Sequence, residues 1–395
     1  MMRWPTVEAR DLCTDVVDCV NKTAPVVGHA TPFKMIRTTN VRGGWIDTAS
    51  VRFVDEPTFE RWTRRLRPRR NDVILTREAP LGQVGIIRSN DNILLGQRLM
   101  MYRADPERCN PRFLAYAMLG PQVQAELRRL GSGATVEHLR VPDCASLAIP
   151  VPPLVEQERI AGVLSALDDL IENNRRRVEL LEQMAQAIYR EWFVHFRYPG
   201  HEEVPLVDSR LGPIPEGWRV WDLGEVVELR YGKALKKDAR RGGMVAVLGS
   251  SGVVGWHDEM LIAGPSIIVG RKGNVGSVTW VDGPSWPIDT TYYVVTPFPP
   301  RYVVEQLRRT EFLNTHAAVP GLSRAQAYSR PFLQPPSDLM VSFSEVSDGL
   351  ASQAAALASH SERLGAIRDL LLPKLVTGEI DVSGLDLDAL VESVA

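Results

Sequence analysis

The hydrophobic positions of the chain fall into two long helical stripes, separated by stretches that lack any such period. From Ile160 a heptad runs through Leu167, Asn174, Leu181 and Ile188. Val163, Leu170 and Met184 lie three residues after heptad positions, and Leu164, Ile171, Val178, Ala185 and Trp192 lie four residues after them. An apolar stripe held over about five heptads and interrupted by one Asn predicts a long helix packed along one face. A second heptad runs through Phe343, Leu350, Leu357, Leu364 and Leu371, with Val346 and Ile367 beside it and Pro373 near its end. Pro153 and Pro336 stand 183 positions apart, and so do Ile160 and Phe343, so the chain reads as unit, helix, unit, helix. Each helix would be roughly 50 Å long at 1.5 Å per residue, too long for one small domain to absorb. Pairing of the two as an antiparallel coiled coil is the expected solution, with Asn174 fixing register at some cost in stability. The predicted packing positions are Ile160, Leu167, Asn174, Leu181, Ile188, Leu350, Leu357, Leu364 and Leu371. Trp192, Phe193 and Phe196 exceed what a two-helix seam needs and are assigned to a partner surface, the alternative being packing on the second unit.

The intervening stretches show short β-branched or aromatic runs bounded by Gly, Pro and Asn, such as WPIDTTYYVV (Trp286 to Val295). Each also carries a helical patch, FLAYAML (Phe113 to Leu119) or VVEQLRRTEFL (Val303 to Leu313), and both are expected to be mixed α/β (α+β) units. ILTREAPLGQVG (Ile74 to Gly85) echoes IIVGRKGNVG (Ile267 to Gly276); with two residues deleted, Gly82 matches Gly273 and Gly85 matches Gly276. The expected organisation is a first unit over 1–153, a helix over 154–197 and a Pro/Gly-rich linker over 198–217. A second unit over 218–336, a helix over 337–380 and an acidic tail over 381–395 complete it.

Composition narrows the class. With 44% hydrophobic residues the 395-residue chain is not disordered, and no run approaches the roughly 18 apolar residues of a membrane span. The start, MMRWPTVEARDLC, has charges where a signal peptide needs its apolar stretch, and the four cysteines form no CxxC or Cys/His spacing, which points to the cytoplasm. The net charge of −2 hides a segregation: residues 1–150 hold 22 basic against 16 acidic side chains, residues 337–395 only 3 against 10. A polyanion partner for the first part is one reading of that asymmetry.

Catalytic patterns are missing from the sequence. GSSGVVG (Gly249 to Gly255) lacks the Lys-Ser/Thr of a phosphate loop, and neither HExxH nor an EF-hand pattern occurs. NPRF (Asn110 to Phe113) partly matches an amino-methyltransferase motif, but Arg112 replaces the second Pro, and Pro111 suits a helix start. What remains is a set of short polar loops that mix phosphate-binding groups with side chains able to read base edges. In the first half these supply Arg37, Thr38, Asn40, Arg77, Gln83, Gln97, Arg98, Ser132 and Thr135. In the second half they supply Tyr231, Lys233, Lys236, Ser250, Ser251, Arg271, Lys272, Asn274, Thr290, Thr291, Tyr292, Ser323 and Arg324. The arginine-rich run Arg61 to Arg70 either tracks a phosphate backbone or is a solvated helix end.

These features together resemble the specificity subunits of type I restriction-modification systems. The resemblance rests on IPVPPLVEQERIAGVLSALDDLIENN (Ile149 to Asn174), YREWF (Tyr189 to Phe193) and LLLPKLVTGEI (Leu370 to Ile380). It rests also on IPEGW, YGK, GSSGVVG, GRKGNVG and PIDTTYY in order through the second unit. PPSDLMVSFSE departs from the usual start of the second helix, and the first unit matches more loosely. The resemblance implies a non-catalytic subunit whose two units each read one half of a bipartite double-stranded DNA target, while the helices set the spacing and dock two modification subunits. S-adenosylmethionine would sit on those partners, and ATP and Mg on two restriction subunits. A coiled-coil scaffold with two protein-binding domains is the alternative.

Overall fold

A computed structural model describes residues 4–131, 137–312 and 321–384. The chain divides into two compact units, one of Met1–Asn174 with Ser359–Ala395 and one of Arg175–Ala358. The first contains a four-stranded antiparallel sheet in the order Cys13–Asp18, Leu99–Ala104, Val73–Thr76, Val84–Ile86. A three-stranded sheet places Phe33–Ile36 between antiparallel Arg52–Phe53 and parallel Asn92–Leu95, and Thr6–Glu8 pairs with Ala148–Pro150. The central strands Val73–Thr76 and Leu99–Ala104 are apolar almost throughout, because both faces are covered. One face meets Phe113, Leu114 and Ala117 of the helix Pro111–Leu119; the other meets Ile36, Ile87 and Ile93.

The second unit repeats this order of pairing. Its four-stranded sheet runs Glu228–Tyr231, Thr291–Val295, Ser266–Gly270, Val278–Val281. Val245–Gly249 lies between antiparallel Gly252–His257 and parallel Ser285–Pro287, and Arg219–Asp222 pairs with Pro331–Gln334. The core gathers Leu229, Ile267, Val269, Tyr292, Tyr302, Leu307 and Phe332 under the helix Pro300–Arg309.

Two helices of 40 residues, Leu154–Phe193 and Ser337–Val376, occupy the two heptad stretches. Within the first unit Asp168 pairs with Arg368 at 2.9 Å and Asn174 meets His360 at 3.3 Å, so these helical stretches run in opposite directions. Ile160 is buried in the first core beside Leu375 and Val376, with Leu371 packed against it; Leu364 is buried and Leu167 half-buried. Within the second unit Leu181 and Leu350 line a groove of about 410 Å³, and Leu357 is half-buried.

Two sequence expectations change. Phe193 is buried among Tyr189, Trp218, Tyr302 and Phe343, with ring centroids 4.8–6.0 Å away. Trp192 packs on Phe343, Phe196 on Trp218, and Ile188 joins the same cluster. The aromatic cluster past the last heptad is therefore core of the second unit rather than a free partner surface. The glycine match also shifts. Gly82 N–H donates to Thr76 O and Gly276 N–H to Gly270 O, each strand-ending residue lying six positions upstream of its glycine. Both glycines have φ near +77° (78° and 76°), where a side chain is strained. Gly82 thus corresponds to Gly276 with no deletion, and Arg77 to Arg271.

Candidate nucleic-acid interface

In the second unit, five connections bring their polar residues together where the strands end. Arg271, just past Ser266–Gly270, donates its backbone N–H to Thr290 O at 2.9 Å, as Lys272 does at 3.1 Å. Its guanidinium Nε and Nη2 donate to Asp289 O at 3.1 and 2.8 Å. Leu322 N–H donates to Arg271 O at 2.8 Å, and Lys272 bridges to Gly321, which fixes the entry to the helix Arg324–Tyr328. The tight turn Gly249–Gly252 joins the group through Ser250, whose Oγ accepts from Asn274 N–H at 3.3 Å while its carbonyl accepts from Ser277 Oγ at 2.7 Å. Gly232 allows the fifth connection to approach: a Cβ there would lie 2.2 Å from Ile288 O.

Tyr231 stands in this cluster with a half-exposed ring. The Arg324 guanidinium lies 4.5 Å and that of Arg271 5.3 Å from its centroid, and the Tyr292 ring is 5.0 Å away. The hydrogen bond with Tyr292 holds the Tyr231 hydroxyl below its ordinary range, helped by the charges of Arg324 and Arg271, whereas burial pushes Tyr292 up to about 12. Lys233 adds a cation 5.5 Å above Trp286, and Lys236, Ser251, Lys272 and Asn274 are exposed. Cations, hydroxyls and an amide converging on one apex suit a polyanion with readable edges.

Other candidates use their side-chain polar groups within the fold. Thr291 is buried and donates to Ile288 O; Tyr292 donates to Leu322 O; Ser323 spends its hydroxyl capping Gln326. Asn40 is buried with its amide bonded to Arg37 N–H and Ser50 O. Thr291, Tyr292 and Asn40 are buried and build the loops, whereas Ser323 is exposed at the start of its helix.

The first unit groups its candidates more loosely. Arg37, Thr38, Gln97 and Arg98 line a hollow of about 270 Å³ together with Arg52. Thr38 donates to Ala79 O, linking the hollow to the Arg77–Gln83 turn, and Arg98 pairs with Glu78. Arg77 Nη1 donates to Leu139 O at 3.2 Å, and Gln83 continues the turn through its backbone bond to Thr76 Oγ1. Ser132 and Thr135 lie outside the described residues. In the arginine-rich run, Arg65 pairs with Asp18 and Arg67 with Glu60, so part of its charge is already neutralised. Asn110 caps the helix Pro111–Leu119 through Arg112 and Phe113 N–H, which accounts for NPRF without methyl transfer.

The convergence in the second unit was only partly legible. Its residue types marked the loops, but nothing local in the sequence brings position 324 to position 231. Among the described residues no group of His, Cys, Asp and Glu could hold a metal ion, and no helix is long and apolar enough to cross a membrane.

Comparison with known proteins gives a consistent family. Residues 64–183 match the model described as type I restriction modification DNA specificity domain. Over 181 residues the chain is 29% identical to the type I restriction enzyme MjaIX specificity subunit of Methanocaldococcus jannaschii, covering 46% of this chain and 41% of the relative. The HindI specificity subunit of Haemophilus influenzae is 26% identical over 108 residues, 27% of this chain and 24% of that one. The chain thus matches less than half the length of these curated relatives. Its fold is similar to the crystal structure of a type I restriction-modification S subunit from M. genitalium, with a TM-score of 0.57 at 18% identity, over 95% of this chain and 96% of that one. Over residues 64–183 the chain is thus similar to the type I restriction modification DNA specificity domain, and the curated relatives it matches are named as specificity subunits.

Proposed function

We propose that this chain is the non-catalytic DNA-recognition subunit of a type I restriction-modification complex. Its two units are two copies of one recognition domain, each reading one half of a split duplex target. The two 40-residue helices form an antiparallel coiled coil that sets the spacing between half-sites and docks two modification subunits. Adenine methylation, with S-adenosylmethionine, belongs to those partners; ATP and Mg belong to two restriction subunits.

The observation that carries this reading is the apex of the second unit, where Tyr231, Lys233, Ser250, Arg271, Asn274 and Arg324 meet from four separate connections. The repeated sheet order supports a second reader of similar build.

The test is binding by the chain assembled with its modification subunits. One split sequence is expected to bind far more tightly than scrambled DNA of equal length, and equal affinity would overturn the proposal. Exchange of residues 1–153 for another such domain should change one half-site only. Four residues inserted into one long helix should change or abolish the accepted spacing.

A further inference from the structure

The superposable backbone bonds of the two units separate what they share from what differs. Arg77 and Arg271 occupy the same place: each follows a strand, donates its N–H to the neighbouring connection (Arg98 O or Thr290 O), and accepts from a buried leucine (Leu139 or Leu322). Each also turns guanidinium nitrogens onto a backbone carbonyl, Leu139 O or Asp289 O. Two residues past those leucines stand Val141 and Arg324, at the starts of the matching five-residue helices. Across the ladders, Met100 faces Asp18 and Tyr292 faces Tyr231, so Asp18 stands where Tyr231 does. The arginine at 77 and 271 is thus common to both frames, whereas the Tyr231–Arg324 pair belongs to the second unit alone.

The chemistry of the two arginines differs in the same sense. Arg271 has its Nε and Nη2 committed to Asp289 O, the edge that a bidentate contact to guanine needs. Arg324 is exposed, lies over the Tyr231 ring at 4.5 Å from its centroid, and Glu228, whose charge reaches it, is already paired to Arg230 at 2.8 Å. A guanidinium held over an aromatic ring has lost rotamer freedom before binding and keeps donors in its own plane.

We propose that Arg324, aligned by Tyr231, reads a guanine in the half-site of the second unit, and that Arg271 is a positioning residue for the loops around it. This rests on the recognition function proposed above and names the side chain that gives it specificity.

The experiment measures binding of the assembled complex to its target and to a set of duplexes substituted singly at each half-site position, for the wild type, Arg324→Ala, Arg324→Lys, Tyr231→Leu and Arg271→Ala. Arg324→Ala should lose roughly 5- to 150-fold of discrimination at one G·C pair of the second half-site and keep discrimination in the first. Arg324→Lys should recover little, because it lacks the planar fork. Tyr231→Leu should weaken discrimination at that same pair, and its effect should not add to that of Arg324→Ala. Arg271→Ala should weaken recognition across several positions of the second half-site. A uniform loss on every duplex with a salt slope reduced by about one for Arg324→Ala would make it a phosphate contact and overturn the proposal. Loss of discrimination at a pair other than G·C, or none at all, would overturn it too. A wild type with no sequence preference would instead defeat the recognition function itself.

Discussion

Asp168 is the group on which the first unit should prove most sensitive. Its side chain is 1% exposed, yet both oxygens are used: Oδ1 accepts from Arg368 at 2.9 Å, and Oδ2 accepts from Tyr116 at 2.7 Å and Arg88 at 3.1 Å. Arg88 also reaches Asp169 at 2.7 Å and lies 3.9 Å above the Trp45 ring, while Arg112 reaches Asp169 at 3.2 Å. One carboxylate therefore ties strand-end Arg88, the helix Pro111–Leu119 and both long helices together inside this unit. Replacing it by Ala leaves two partly buried guanidiniums and a buried phenol without their acceptor. Removing one partner of a buried pair costs about 3–5 kcal/mol. Arg88 and Arg368 keep Asp169 and Asp369, which places Asp168→Ala near the lower end of that range. Asp168→Asn keeps an acceptor but not the charge, and a loss of about 1.5–3 kcal/mol is expected, that of charge-assisted bonds. Urea unfolding of the full chain, with hydrogen exchange followed in peptides around Arg88 and Asp168, measures both. Exchange in the second unit should stay unchanged. A loss below about 1 kcal/mol for Asp168→Ala would refute the reasoning, since a hub whose removal is so cheap is not holding these elements.

Further outcomes follow from the same geometry. Burial raises the thiols of Cys13 and Cys109 to about 12 and of Cys144 to about 11, from 9.0. The folded unit therefore keeps protons that the unfolded chain releases, so its stability is full below pH 9 and falls as pH climbs towards 12; a flat melting temperature over that window would contradict this. Phe193→Ala removes a ring buried by Tyr189, Tyr302 and Phe343 and should cost the second unit about 3–5 kcal/mol in chemical denaturation. Gly232→Ala would push the Tyr231 connection off Ile288 O, so binding at the second half-site should fall at least tenfold (about 1.4 kcal/mol) while the first keeps its preference. With a net charge of −2, the isolated chain should bind duplex DNA weakly and non-specifically in a filter or polarisation assay until the modification subunits are added.

The long helices were legible because a heptad is a local, periodic signal that packing along one face enforces. They run Leu154–Phe193 and Ser337–Val376. The aromatic cluster at 192–196 was misassigned for a related reason: a run of exposed-looking aromatics on a helix end does not say which surface covers it, and Tyr302 and Phe343 lie more than a hundred positions away. Glycine spacing suggested the echo between the two turns, but only the backbone bonds of Gly82 and Gly276 set its register. The same bonds show why some candidates failed. Asn40 has the side chain of a reader, yet it is buried and its amide is taken up by Arg37 N–H and Ser50 O.

The division between frame and reader has a thermodynamic basis. The bond from Leu139 N–H to Arg77 O closes 62 residues, and that from Leu322 N–H to Arg271 O closes 51. Chain-closure entropy grows only with the logarithm of length, so eleven extra residues between these anchors cost about 0.2 kcal/mol. The ladders tolerate no such freedom, because a one-residue slip in Val73–Thr76 or Ser266–Gly270 would turn every core side chain to the wrong face. Changes in the connections are thus nearly free while changes in the strands are costly. The fold can therefore keep Arg77 and Arg271 as equivalent anchors and still exchange Val141 for Arg324 at the starts of the matching five-residue helices.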